Sequence, residues 1–554
     1  MTKSTNSRIL CWRITMNKKL LFPLAALLFS LTSCGGDTVK ADTALEGLAA
    51  KGNEEGVVLS WKAEEKADSY LVYQDDKVIR EVDKPYVTIP FLEENKSYHF
   101  GVAWKAGESV SPITYVDGKM DKSVSYDPFI DKLQTGLEKR IGEGGINKMF
   151  TAGNVNDSTT NTYAFKHVID EMKAGNSKTI AYIGGSITVG EKATALDSKK
   201  HQKGYAYYSY RWMKEHYDKN QNSKFINASI SGTDTSIATV RLEKDVLQYN
   251  PDLVFVEFAA NNGTSIYDQK TYESLVRRIL MQPNKPAVVL LFSATSYSKN
   301  HQDSYMMPIG KHYGLPMFSF VNALGQVCGN MKTDLSDPIF KFFTTDGVHP
   351  NDQGHQLYAK TLVHTLRNLI NAESSATSYN IPETPWKAGY DCYTNLTYVN
   401  NSVNNSIITS TGSFAPADTL YRVLKDTADV EAFQKGWKKT STTENNALTI
   451  TVTCKNFFII YLAGNPQVKG DPKGNFVANY ANQANASDKG ELKWDAAVTG
   501  KQSSLTNVVN NGNGWENPCC MILIDNDASA TYNISIKMEN AADTGILLAF
   551  GYCD

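Results

Sequence analysis

Residues 179–190 read TIAYIGGSITVG. Residues 180–183 are an apolar run of strand length, Gly184 and Gly185 end it, and a hydroxyl follows at Ser186, where a strand would ordinarily turn into solvent. A short run of continuous apolar residues suits a strand buried on both faces, as in a parallel sheet covered by helices. The two glycines let the chain turn sharply and approach a ligand closely. The corner therefore asks for a covered sheet, and for later residues that could activate the serine.

The rest of the central region fits that sheet. Apolar runs recur at 225–228, 253–258, 287–292 and 317–320, and stretches of helical period lie between them at 205–217, 236–247 and 272–281. A last helix is expected from near Asp352 toward Ile370. Strand–helix alternation predicts an α/β domain over residues 128–375, with a parallel sheet covered by helices on both faces. Sites in such sheets form outside the carboxyl ends of the strands, and Ser186 follows one of those ends.

Strands also flank this region. Within residues 42–121, GVVLSWKA, SYLVYQDD, YVTIPF and SYHFGVAW alternate apolar and polar positions. Trp61 lies in an early strand, and Leu92 precedes Tyr98 at the spacing of a corner tyrosine, so the segment resembles a fibronectin type III sandwich. Residues 376–554 carry ALTITVTC, FFIIYLAG, CMILIDN, TYNISIKM and GILLAFGYC, which predict a jelly-roll-like β-sandwich.

The chain start reads as an export segment. Arg8, Arg13, Lys18 and Lys19 precede an apolar run at 20–31, and LTSC follows. A basic start, a short apolar core and a small-residue exit describe a secretory signal over residues 1–33. Leu31-Thr32-Ser33-Cys34 resembles a bacterial lipobox, which implies a lipid anchor on Cys34 and residues 34–41 as a tether. Membrane association is expected through that anchor alone, on the periplasmic or surface face of an outer membrane.

Composition narrows the partners. Across 554 residues, 56 Lys and Arg against 58 Asp and Glu give a net charge of −2, well mixed along the chain, so no footprint for nucleic acid appears. Cys328, Cys392, Cys454, Cys519, Cys520 and Cys553 follow the export segment without the His/Cys spacing of a zinc site. Neither a metal nor a cofactor is expected, and any disulfide pairing cannot be read from spacing.

A serine hydroxyl needs a base to take its proton and donors aimed at the oxyanion that develops. Four stretches in chain order offer these. GGSIT supplies Ser186 and its amide, SISGTDTS supplies Gly232, EFAANN supplies Asn261, and TDGVHPND supplies Asp346 and His349. A carboxylate three residues from an imidazole in a tight turn can fix its tautomer and leave the other nitrogen facing the serine.

These stretches resemble the Ser, Gly, Asn and His blocks of the SGNH hydrolase superfamily, also called GDSL esterases, over residues 175–372, and the resemblance implies a three-layer α/β/α, flavodoxin-like arrangement of that domain. The resemblance implies Ser186 as nucleophile, His349 as general base and Asp346 as its orienting partner. It implies an oxyanion hole from Gly232, Asn261 and the Ser186 amide. Two positions depart from the family pattern. Gly185 stands where Asp is common, and Asn262 stands where Asp often follows the Asn, a change expected to weaken the support behind the site without touching a residue assigned to bond making. The Gly-x-Ser-x-Gly elbow of α/β-hydrolases fits less well, because Thr188 occupies its last glycine position.

The chemistry implied is acyl transfer to water. GWKK, NGNGWENP and the terminal LLAFGY resemble the β-sandwich appended to exported SGNH esterases, which points to acetyl or other short acyl esters on an acylated glycan. Tyr205, Tyr207 and Trp212 are candidate sugar-stacking residues, although a packed face of a helix is the reading that such a run favours. Trp437 and Trp515 pose the same choice. A lipase- or thioesterase-like acyl hydrolase and a non-catalytic glycan-binding lipoprotein are the alternatives.

Overall fold

The computed structural model describes residues 40–53, 56–83, 85–89, 92–93, 96–121, 137–139, 142–194, 204–295, 302–328, 343–372, 376–419, 430–464, 471–496, 508–509 and 517–554. The expected signal segment, Cys34 and Trp515 lie outside these residues. Two compact units result, one from residues 40–51, 57–88 and 96–119, the other from 52–56, 89–95 and Met120–Asp554.

The smaller unit is made of strands. They are β1 (Ala49–Asn53), β2 (Gly56–Ser60), β3 (Ser69–Gln74), β4 (Lys77–Val82), β5 (Tyr86–Ile89), β6 (Ser97–Ala106), β7 (Ser109–Val110) and β8 (Thr114–Lys119). One sheet has the order β1-β2-β5 and the other β4-β3-β6-β7, with β8 also paired to β6. Phe100, Val102 and Trp104 lie on one face of β6 and are buried, and Gly101 and Ala103 on its other face are buried too, so the middle of this strand is covered on both sides.

In the larger unit, α1 (Gly145–Gly153) and α2 (Tyr163–Ala174) precede β9 (Thr179–Gly184) and the single turn α3 (Ser186–Val189). Then come α4 (Tyr205–Tyr217), β10 (Lys224–Asn227), α5 (Thr235–Asp245), β11 (Leu253–Glu257), α6 (Ile266–Leu280) and β12 (Ala287–Phe292). The layer closes with α7 (Met307–His312), β13 (Met317–Ser319), α8 (Phe320–Cys328) and α9 (Asp352–Asn371). The five strands run parallel in the order β10-β9-β11-β12-β13. Counted from β9 this is the flavodoxin-like order, with its switch point between β9 and β11.

Every residue of β11 and β12 is buried, because both faces are covered. Phe165, Tyr182, Phe255, Leu291, Tyr358 and Leu366 pack on one side, and Ala181, Val254, Leu275, Ile279 and Ile309 on the other. The helix expected at 272–281 starts earlier, at Ile266. Ser265 caps it, and the reciprocal bonds of Ser265 and Asp268 satisfy otherwise orphaned amides of the first turn.

The C-terminal strands are β14 (Thr397–Val399), β15 (Ile408–Ser410), β16 (Ala415–Asp418), β17 (Lys435–Lys439) and β18 (Leu448–Ala463). They continue with β19 (Asn475–Asn482), β20 (Lys489–Asp495), β21 (Val508–Val509), β22 (Asn517–Met538) and β23 (Gly545–Cys553). The main path runs β16-β17-β23-β18-β22-β19-β20. Trp437 is 1% exposed and belongs to the core of this region, so it is not a surface platform.

These strands share a core with the α/β layer. Ile237 and Val240 of α5 are buried among Tyr393, Leu396, Phe458, Ile460, Cys520 and Leu548. Each aliphatic side chain fully buried there contributes about 1.5–3 kcal/mol. Below them the buried Arg241 pairs with Asp245 on its own helix at 3.0 Å, as helical spacing allows. Asp245 also accepts the Glu431 and Ala432 amides at 2.8 and 3.0 Å. The five cysteines Cys392, Cys454, Cys519, Cys520 and Cys553 are unbridged.

Candidate active site

The serine corner is built by exclusion. A Cβ on Gly184 would lie 2.5 Å from Thr188 Oγ1 and 2.6 Å from the Glu257 carbonyl. A Cβ on Gly185 would lie 2.1 Å from Asn261 Oδ1. Gly185 has extended backbone, so the neighbouring carboxamide, not a strained φ, demands glycine there. Ser186 then opens α3, a single turn that ends at Gly190 with φ 93°. The serine is 8% exposed.

His349 and Asp346 reach this corner from the loop before α9. Ser186 Oγ and His349 Nε2 are 2.9 Å apart, and His349 Nδ1 is 2.9 Å from Asp346 Oδ2. A carboxylate oxygen accepts, so Nδ1 carries the proton, and Nε2 presents a lone pair to the serine hydroxyl. Asp346 Oδ1 accepts the amides of Val348 and His349 at 2.9 and 2.8 Å. Partial burial pushes the Asp346 carboxyl up, but the bond from His349 and those two amides outweigh it and hold it at about 2. Asn351 caps α9 by accepting the Gly354 amide at 2.9 Å, which fixes where the loop ends.

The two donor loops stand at the neighbouring strand ends. Gly232, after β10, has φ 71°, the left-handed region that favours glycine. Asp234 caps the following α5 through the amides of Ser236 and Ile237. Its burial raises its carboxyl to about 6. Asn261, after β11, lies against Gly185. Asn262 joins the two loops: its Oδ1 accepts the Thr235 amide at 3.1 Å and its Nδ2 donates to Thr235 Oγ1 at 2.6 Å. A carboxylate could not make that second donation. Ser231 Oγ also donates to Glu191 Oε1 at 2.9 Å, which ties the Gly232 turn to the chain just past the serine.

The structure thus brings Ser186, His349 and Asp346 into one hydrogen-bonded line and puts Asn261 beside the serine corner. Gly232 occupies the turn between β10 and α5. Such a line can deliver a proton from a hydroxyl to an imidazole, and the adjacent donors can face a developing anion.

The aromatic candidates need correction. Tyr205 is 0% exposed and its hydroxyl bonds to Thr188 Oγ1 at 2.8 Å. Trp212 is also buried, beneath Arg367 at 5.6 Å. Tyr207 is partly buried against Phe225, with ring centroids 5.6 Å apart. Tyr205 and Trp212 share one packed face of α4, and a sugar cannot stack on a ring that has no free surface; Tyr207 lies on another side of the helix and keeps part of its surface. The residues that sequence reasoning passed over are Glu257, inside the quoted EFAANN, and Thr188, inside GGSIT. Each carries a polar side chain in an otherwise apolar run.

Comparison with known proteins extends this geometry. Residues 182–357 match the model of the GDSL-like Lipase/Acylhydrolase family. Thioesterase 1/protease 1/lysophospholipase L1 of Escherichia coli (strain K12) is 22% identical over 215 residues, which is 37% of this chain and 92% of that protein. Among solved structures, a two-domain esterase (CEX) active on acetylated mannans is 25% identical with a TM-score of 0.56, covering 73% of this chain and 98% of that one. A structure of a two-domain esterase (CEX) co-crystallized with mannopentaose is 24% identical with a TM-score of 0.55, covering 73% and 97%.

Proposed function

We propose, from the GDSL-like lipase/acylhydrolase domain that residues 182–357 form, that this protein is a serine esterase that removes acetyl or similarly short acyl groups from carbohydrate. The observation that carries the reading is the unbroken line from Ser186 Oγ through His349 to Asp346, each link 2.9 Å. In this reading Ser186 Oγ attacks the acyl carbonyl carbon as its proton passes to His349 Nε2. Asp346 stabilises the imidazolium without taking the proton. The tetrahedral oxyanion accepts hydrogen bonds from the Ser186 amide, the Asn261 carboxamide and Gly232. Collapse expels the sugar alkoxide, which takes the proton from His349. Water, deprotonated by the same imidazole, then releases the acid.

Support for a sugar ester comes from the likeness to the mannan-active esterase, which spans 73% of this chain and so runs well beyond the family match. The lipobox-like run at 31–34 is the basis for proposing that the enzyme works while tethered to the cell envelope through Cys34.

The test is hydrolysis of p-nitrophenyl acetate and octanoate, with acetate release from acetylated mannan and xylan, by the wild type and Ser186→Ala. Acetate is expected to be preferred over octanoate, and Ser186→Ala is expected to lose activity by about 10⁴-fold or more. Equal turnover by both proteins would remove Ser186 from the chemistry. Preference for octanoate would transfer the reading to a lipid or thioester substrate.

A further inference from the structure

We infer that Glu257 is a positioning residue for this reaction, a single buried carboxylate that holds the serine turn and the Asn261 loop in register. The inference rests on the function proposed above. Glu257 closes β11 and lies level with Gly184 on β9 and Leu291 on β12. It is 1% exposed. Its Oε2 accepts Thr188 Oγ1 at 2.8 Å, and Thr188 stands two residues after Ser186 on the same turn. Its Oε1 accepts Ser293 Oγ, just past β12. The amides of Ala259 and Ala260, which lead directly into Asn261, also bond to it. Tyr205 joins from α4 through Thr188 Oγ1.

Nothing in the acyl-transfer steps calls for this carboxylate, and sequestering one costs several kcal/mol unless it is fully bonded. Burial pushes its carboxyl up while the hydroxyls and amides draw it back. The structural return lies in what the donors belong to. The turn α3 is four residues long, too short to hold itself as a helix. The Thr188 side chain ties it to β11, beside the Asn227 side chain of β10, which donates to the Thr188 carbonyl at 3.2 Å. The Asn261 loop is drawn to the same oxygen pair through two successive amides. One side chain therefore fixes the distance between the attacking hydroxyl and the oxyanion donor.

The experiment compares the full chain with Glu257→Gln, Thr188→Val, Ser293→Ala and, as reference, Ser186→Ala. Readouts are kcat per titrated active site and KM for p-nitrophenyl acetate, melting temperature, and Ki of a small alkylboronic acid, which adds to the serine as a tetrahedral adduct. Glu257→Gln and Thr188→Val are expected to lower kcat per site by about 10–10²-fold, the scale of a sub-ångström to ångström misplacement, with KM unchanged. The boronate Ki should rise by the same factor. Ser293→Ala, farther from the serine, should have a smaller effect of the same kind.

A merely structural role would lower the melting temperature and the titrated fraction while leaving kcat per site and Ki at wild-type values, and that result overturns the inference. If Glu257→Gln does not fold, Thr188→Val decides, because it leaves the carboxylate in place and cuts its tie to the serine turn, together with the Tyr205 bond to the same hydroxyl, which Tyr205→Phe removes by itself as a control. Retained activity in Ser186→Ala would instead defeat the proposed function, whatever the Glu257 variants do.

Discussion

Asp346 and Glu257 are two carboxylates on different sides of one serine, and their surroundings drive them in opposite directions. Asp346 sits in a partly exposed loop, where an imidazole and two amides hold it at about 2. Glu257 sits at the end of a strand covered on both faces, where burial raises its carboxyl despite four donors. Side-chain type is nearly the same in both. What differs is how much water each can reach and how far along the chain its side-chain partners lie: at most three residues for Asp346, but 69 and 36 for Glu257. The local pair can orient an imidazole, and the long-range cluster can hold separate loops together.

The sharpest way to break this comparison is Asp346→Asn. A carboxamide can turn an N–H toward Nδ1 and select the wrong tautomer, so kcat/KM for p-nitrophenyl acetate should fall by about 10³–10⁴-fold, with folding retained. A loss no larger than that of Glu257→Gln would mean that Asp346 is only another brace.

A smaller effect is expected behind the oxyanion loops. Asn262→Asp would put a third carboxylate beside the buried Asp234 and Asp268 and remove the donation to Thr235 Oγ1. Urea unfolding at pH 7 should show a loss of about 1–3 kcal/mol that shrinks at lower pH as the cluster takes up protons. Undiminished stability at pH 7 would show that this position tolerates Asp, and that Asn262 is no adaptation to its neighbours.

The smallest effect is a slope. Asp234 has a native value of about 6 against about 4 when unfolded, so the native state holds the proton more tightly. Its contribution is therefore complete below about pH 4 and is lost as pH rises through about 6. Asp346 has the opposite sign: its contribution is complete above about pH 4 and is lost as pH falls toward 2. Urea midpoints of the wild type and Asp234→Asn across the range from about pH 4 to 7 should converge or cross with that slope. Parallel curves would contradict the assigned burial.

Particular residues mark how much of this was legible. The strand runs and the covered parallel sheet followed from apolar spacing, the flavodoxin-like order only from the family resemblance, and β12 falls at 287–292 as the run indicates. The start of α6 was missed because Ile266 is exposed, and the signal there was the Ser265–Asp268 box rather than an apolar period. Ser186, Asn261, Asp346 and His349 stood out because each carries a reactive or polar group at a strand end or helix start. Glu257 did not, since one acid in an apolar run looks the same whether it points to water or to a cluster drawn from three elements. Tyr205 and Trp212 are buried, as the packed-helix reading favoured, but they could not be struck from the sugar-stacking candidates by sequence, because aromatic content announces size and not which way the ring faces.

The chain by itself determined its periodicities, and with them a parallel sheet wrapped in helices and a serine placed at a strand end, because periodicity is a property of neighbours along the backbone. Only the tertiary structure decided that the imidazole meets the hydroxyl across 163 positions, that Tyr205 and Trp212 of α4 turn inward, and that the C-terminal strands share a core with α5. Those outcomes depend on which layers exclude water from which faces, and that is settled only when distant segments pack.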